Sequence, residues 1–163
     1  MTAEKTTPAS HFAELAELYF NLPFNHFLGL SVKSRDEKVL RLSFKSKQEF
    51  IGNTFKNILH GGIISSAIDA CGGLHAMTAG YEKMRSLPKH TIMARLKNSS
   101  TIDLRVDYLR PGRGQVFTVT SELLRSGKRI SVARMTLTNE EDVTIAVGSA
   151  TYLIEAEADE SSK

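Results

Sequence analysis

With 163 residues, a net charge of +3, 41% apolar and 24% charged side chains, the chain has the composition of one packed domain rather than of a disordered segment. Its N-terminal residues Met1 to Ser10 are polar, and no apolar run approaches the ~20 residues that span a bilayer, so neither a signal peptide nor a membrane span is expected. The single cysteine, Cys71, excludes an internal disulfide and a cysteine-rich zinc cluster, and it fits a reducing compartment, the cytoplasm.

Taken in chain order, Phe12, Leu15, Ala16, Leu18 and Tyr19 recur at helical spacing after Ser10, a candidate N-cap, and predict a short amphipathic helix over 11–20. Pro23 breaks it. Alternation in Val39-Leu-Arg-Leu-Ser-Phe44 predicts a strand, and residues 31–45 read as a hairpin. Residues 61–79 are apolar nearly all round, as expected of a helix wrapped by a sheet. Gly72 and Gly73 each cost that helix ~1 kcal/mol relative to Ala, which predicts close packing against the sheet or a partner helix.

After a loop over 81–99, Ile102, Leu104, Val106 and Tyr108 alternate with Asp103, Arg105 and Asp107. Strands over 116–124, 130–138 and 143–154 follow, separated by Pro111-Gly112, Ser126-Gly127 and residues 139–142. The order helix, two strands, helix, four strands predicts an α+β fold with one curled antiparallel sheet around one buried helix. A doubly wound parallel sheet would require helices between the later strands. No internal repeat marks a second domain, so one domain is expected over 1–154, with a disordered tail over 155–163. Setting aside the tail's four acids and one base raises the net charge from +3 to +6. That suits an anionic ligand, although a solvated basic surface is the commoner meaning. No zinc finger, basic recognition helix or RNA-binding aromatic strand is visible, and nucleic acid is not an expected partner.

The most informative stretch is Gly52-Asn-Thr-Phe-Lys-Asn-Ile-Leu-His60-Gly61-Gly62, which runs into Ile63-Ile-Ser-Ser-Ala-Ile-Asp69-Ala-Cys71. Asp is a poor helix former and costly to bury unpartnered, so Asp69 among Ala67, Ile68, Ala70 and Cys71 needs an explanation. Two glycines opening a helix leave backbone N–H groups bare and approachable, and the helix dipole there favours negative charge developing on a carbonyl oxygen. An oxyanion pocket together with an acid/base group suggests acyl transfer. The plainer alternative is that Asp69 bonds a neighbouring backbone group or an Arg across an interface.

His60-Gly61-Gly62 followed by Asp69 resembles the active-site segment of hotdog-fold acyl-CoA thioesterases of the PaaI type. Thr101 to Gly112, with its Tyr-x-x-Pro ending, resembles the family's long third strand. Leu124-Arg-Ser-Gly-Lys-Arg129 resembles the hairpin that follows and Ala146 to Ile154 the closing strand, so the likeness runs from about Leu30 to Ile154. The resemblance implies the hotdog fold and hydrolysis of an acyl-CoA to free acid and coenzyme A. The coenzyme is then part of the substrate, with no separate cofactor and no metal. The five histidines likewise form no zinc pattern such as His-Glu-x-x-His.

The same resemblance assigns Asp69 as general base or nucleophile, which a sequence does not separate, and the Gly61 N–H as the group polarising the thioester. Gly62 is read as steric. His60 is implied as an orienting or structural group. Asn53, at a looser offset, orients water or makes a turn, and Thr101 either sits near the lytic water or is an ordinary strand residue. Tyr108, Arg110, Arg113, Gly127, Lys128 and Arg129 fall where the family meets the nucleotide of coenzyme A, though each cation alone can be a solvated charge. A homodimer or homotetramer is implied, with Gly61 of one chain facing Asp69 of another. His75 reads as an interior or interface residue.

Three rival functions come from different classes. A hotdog dehydratase or hydratase uses a His in motifs such as His-Phe-Pro-Gly, absent here. A non-catalytic acyl-CoA sensor needs a DNA-binding segment, for which the ~30 residues before Leu30 are too short. A decayed binding module is disfavoured by the presence of Gly61, Gly62 and Asp69 together. The acyl group is open, because Phe24, Phe27, Phe50, Ile63, Ile64 and Met77 either line an apolar tunnel or are core.

Overall fold

A computed structural model describes residues 8–36 and 38–154. The first helix, α1 (Pro8–Phe20), starts before the expected position and leaves Ser10 inside it rather than at its cap. Proline suits a helical first turn, where its missing N–H is not needed. The same logic turns the segment after Pro23 from a break into a second short helix, α2 (Pro23–Leu28), with proline in its first turn.

Strands β1 (Ser31–Arg35) and β2 (Val39–Lys45) form the expected hairpin, with Leu40, Leu42 and Phe44 facing inward. A 3-10 turn over Gln48–Phe50 and a two-stranded hairpin, β3 (Ile51–Asn53) and β4 (Ile58–Leu59), then carry the chain to the central helix. That helix, α3, runs over Gly61–Lys83, about a turn longer than the pattern predicted. The expected loop over 81–99 holds one more helix, α4 (Lys89–Leu96). Its signal was weak because Ile92 and Leu96 are its only fully buried residues, in an eight-residue segment that also carries Lys89, His90, Thr91 and Arg95.

The last four strands are β5 (Ser100–Tyr108), β6 (Val116–Ser126), β7 (Ile130–Asn139) and β8 (Thr144–Leu153). They join β1 and β2 in one antiparallel sheet of order β1-β2-β6-β7-β8-β5, curled round α3 in the hotdog arrangement. Phe44 stacks on Phe117 at 5.4 Å between ring centres, and Phe50 meets Phe44 edge-on. Truncating such rings costs roughly 3–5 kcal/mol. Gly72 allows α3 to touch the sheet: a Cβ there would run into the Tyr152 hydroxyl and lie 2.9 Å from Met135 Sδ. The tail over 155–163 and its expected disorder lie outside the described residues.

One detail of β5 departs from simple alternation and shapes the site. Thr101 pairs with Tyr152 and Asp103 with Thr151, so Ile102 is a bulge residue. The extra residue shifts the phase of the strand, and Thr101 joins Leu104 and Val106 on the face turned to α3. Ile102, expected on that apolar face, is instead 55% exposed.

Candidate active site

The N-terminus of α3 is held from both sides. A Cβ on Gly52 would lie 2.7 Å from His60 Cα, so only glycine lets the β3–β4 hairpin back directly onto His60. His60 is the N-cap, and its Nδ1 accepts the Gly62 N–H at 2.9 Å. This capping role was expected to be orienting or structural, and it consumes one of the two glycine donors. The Gly61 N–H has no acceptor among the described residues, and the Tyr108 hydroxyl donates to Gly61 O at 2.9 Å. One bare donor on the positive end of a 23-residue helix remains.

Two turns further on, Asp69 is half-buried. Thr101 Oγ1 donates to Asp69 Oδ1 at 3.0 Å, and the Tyr152 hydroxyl donates to the Asp69 backbone carbonyl at 3.0 Å. Burial holds the Asp69 carboxyl above the usual carboxylate value, while the hydroxyls of Thr101 and Tyr152 pull it partly back. Tyr152, and Tyr19 from α1, are in turn held protonated by burial first and by the Asp69 charge second. A half-buried carboxylate kept basic and ringed by hydroxyls is suited to taking a proton from water. Tyr152 was missed in the sequence; the signal was a buried tyrosine on an inward strand position, which needs a partner for its hydroxyl.

Within one chain the expected residues divide into two clusters. His60, Gly61, Tyr108 and the Arg110–Arg113 turn gather at one end, where the Leu59 N–H donates to Gly112 O. Asp69, Thr101 and the Gly127–Arg129 turn gather at the other, where the Ile154 N–H donates to Arg129 O. Eight helical residues put Gly61 and Asp69 about 12 Å apart. Along β8, from the Ala146 opposite Tyr108 to the Tyr152 opposite Thr101, the two ends are about 20 Å apart.

Arg110 donates to Thr144 O and is exposed, as are Arg113, Lys128 and Arg129; Gly127 closes its turn by donating to Ile130 O. Asn53 Oδ1 accepts the Lys56 N–H at 3.1 Å, the turn-making alternative, and neither Asp69 nor Thr101 is among its partners.

Two reactive groups lie off the site. The Cys71 thiol is buried against Leu40 O and Val119 O, and burial pushes it up to about 12, so it is no nucleophile. His75 is buried with Nδ1 3.1 Å from Ser121 Oγ, the interior role expected of it. Burial lowers its pKa to about 4. Of the candidate tunnel residues, Phe50 and Ile64 are core, Ile63 packs on the core, and Phe24 and Phe27 are exposed beside each other; Met77 borders a cavity. Among the described residues no three His, Cys, Asp or Glu side chains are grouped to hold a metal ion, and no helix is long and apolar enough to cross a membrane.

Residues 56–146 match the family model of the thioesterase superfamily. The chain is 42% identical to the medium/long-chain acyl-CoA thioesterase YigI of Escherichia coli K12, over 83% of this chain and 87% of that one. A crystal structure from Shewanella oneidensis, of a protein related to the thioesterase superfamily, superposes with a TM-score of 0.83 at 40% identity, covering 90% of this chain and 97% of its own. The E. coli PaaI protein of the phenylacetic acid degradation operon superposes with a TM-score of 0.71 at 19% identity, over 91% of this chain and 96% of its own, a likeness of fold.

Proposed function

Because this chain belongs to the thioesterase superfamily, we propose that it hydrolyses medium- or long-chain acyl-CoA thioesters, with Asp69 as the acid/base group. The observation that carries the reading is the half-buried Asp69 carboxylate, held basic by burial and oriented by Thr101. Asp69 takes a proton from water as the water oxygen attacks the thioester carbonyl carbon. The C–S bond then breaks, and the proton passes from Asp69 to the departing thiolate of coenzyme A. The oxyanion formed on the way is met by the free N–H of Gly61. Direct attack by Asp69 on the carbonyl uses the same carboxylate and is separated by trapping an acyl-enzyme.

The two half-sites account for assembly. Gly61 and Asp69 of one chain, about 12 Å apart, do not reach the same carbonyl. β5 is a sheet edge, and pairing it antiparallel with a second β5 across a two-fold axis sets the Tyr108 end of one strand beside the Thr101 end of the other. That pairing unites Gly61 of one subunit with Asp69 of its partner. It also draws the Arg110–Arg113 and Lys128–Arg129 clusters toward one coenzyme A, so the active form is a homodimer or a homotetramer. We assign the enzyme to the cytoplasm, in keeping with its single buried thiol.

Thiol release from a panel of acyl-CoAs, run beside light scattering on the eluting protein, tests this reading. Turnover by a dimer or tetramer is expected; a protein that binds the esters without releasing thiol, or an active monomer, contradicts it.

A further inference from the structure

Resting on that reading, we propose that the acyl tail lies in a cavity between α1, α3 and α4, and that Met93 sets the chain length the enzyme accepts. The cavity is a cleft of about 410 Å³ open on one side, walled chiefly by Leu15, Leu18, Leu22, Met77, Met93 and Leu96, with Lys97 and Ser99 among its polar lining. That volume lies in the range of small-molecule pockets, and walls of this kind offer a ligand burial rather than hydrogen bonds.

The cavity lies one small space away from the residues that hold the Asp69 carboxylate. A smaller space of about 100 Å³ shares Tyr19, Met77 and Ser99 with it and is bordered on its other side by Thr101 and Tyr152, the two residues that bond Asp69. Ser99 Oγ is buried at the junction with no partner among the described residues, which leaves the passage a polar contact at the end nearest the carboxylate. A polar, reactive mouth leading into an apolar chamber matches a ligand with a thioester at one end and an alkyl chain at the other. Adjacency to Thr101 and Tyr152, the hydrogen-bond partners of Asp69, is what favours the substrate's own tail over a second protein as the occupant.

Met93 borders the larger space and not the smaller, so changing its size alters the far end while sparing the contacts to Asp69. Each methylene that enters an apolar wall is expected to raise kcat/KM about fourfold until the chamber is full. The profile of kcat/KM against chain length should therefore rise and then break.

Straight-chain acyl-CoAs of graded length, assayed with the wild type, Met93→Trp and Met93→Ala, test the proposal. The break should move to shorter chains in Met93→Trp, with roughly a tenfold fall in the ratio of long-chain to short-chain kcat/KM, and to longer chains in Met93→Ala. If Met93→Trp does not fold, the direction of the shift in Met93→Ala decides. A break that stays in place in the folded variants overturns the proposal. A loss shared equally by all chain lengths, or a change in oligomer mass that tracks the loss, also overturns it, since the cavity is then structural or covered by another copy. Brisk hydrolysis with a flat chain-length profile overturns this inference alone, whereas no hydrolysis of any ester removes the parent reading with it.

Discussion

Thr101 Oγ1 donates a 3.0 Å hydrogen bond to Asp69 Oδ1, although a strictly alternating strand would turn Thr101 away from the helix that carries Asp69. The bulge at Ile102 makes the contact possible. A hydrogen bond to a charged group is worth about 1.5–3 kcal/mol, so the contact is large enough to position the carboxylate.

Thr101→Ala should lower kcat about tenfold, with Thr101→Ser retaining most of it. It should also move the acid limb of the pH profile. Burial already raises Asp69 above 3.8, so kcat/KM falls as pH drops through that raised value. Thr101 pulls the value down, and its removal should shift the limb to higher pH. A limb that stays put in Thr101→Ala separates Thr101 from the acid/base group.

Gly61→Pro tests the free donor without breaking the helix. His60 precedes it at φ −64° and ψ 136°, a conformation that proline accepts in its predecessor, and proline is favoured at the first helical position. The variant should fold and lose about 10²- to 10³-fold in kcat. Mixing Gly61→Pro with Asp69→Asn and allowing subunit exchange should restore about a quarter of the wild-type rate, because half the dimers are mixed and one of their two sites is intact. No recovery despite verified exchange would place both groups of each site in one subunit.

Lys128 is exposed in the turn between β6 and β7, and Arg110 is exposed at the opposite end of the sheet. Lys128→Ala and Arg110→Ala should each raise KM for CoA esters several-fold with little change in kcat, and the effect should shrink as salt screens the phosphates. Equal KM values at low salt would move the nucleotide elsewhere.

His75 supplies a prediction on stability. Its pKa falls from 6.5 to about 4 on burial, so the folded state favours the neutral ring. The sign is that of a depressed pKa: the stability is present above pH 6.5 and is lost as pH falls toward 4, up to about 3 kcal/mol in all. His75→Gln should remove most of that slope in urea melts across the window, and an unchanged slope would assign the acid sensitivity to other groups.

Much of this was legible before the fold, and the reasons differ by element. The stretch after Gly61, apolar nearly all round, and the alternation in Val39–Phe44 reflect burial, which hydrophobic spacing records directly. The helix start at His60-Gly61-Gly62 was legible because helix-capping chemistry is local, whereas Asp69 stood out as an acid among apolar helix neighbours and its role came from the resemblance. The α4 helix was not, since two buried residues in eight leave little periodicity. Neither was the approach of Thr101 and Tyr152 to Asp69, which depends on a bulge and on pairing between strands some 50 residues apart. The division of the site into two ends of one chain is likewise set by sheet order, a long-range property.

The most direct test is kcat of Asp69→Asn on a long-chain acyl-CoA, measured with the melting temperature at neutral pH. The side chains are nearly isosteric, and a raised carboxyl pKa means the charged form costs stability above that value, so the variant should melt no lower than the wild type. Its kcat should fall about 10²- to 10⁴-fold with KM little changed. A folded Asp69→Asn protein that turns over every thioester at the wild-type rate would contradict the account.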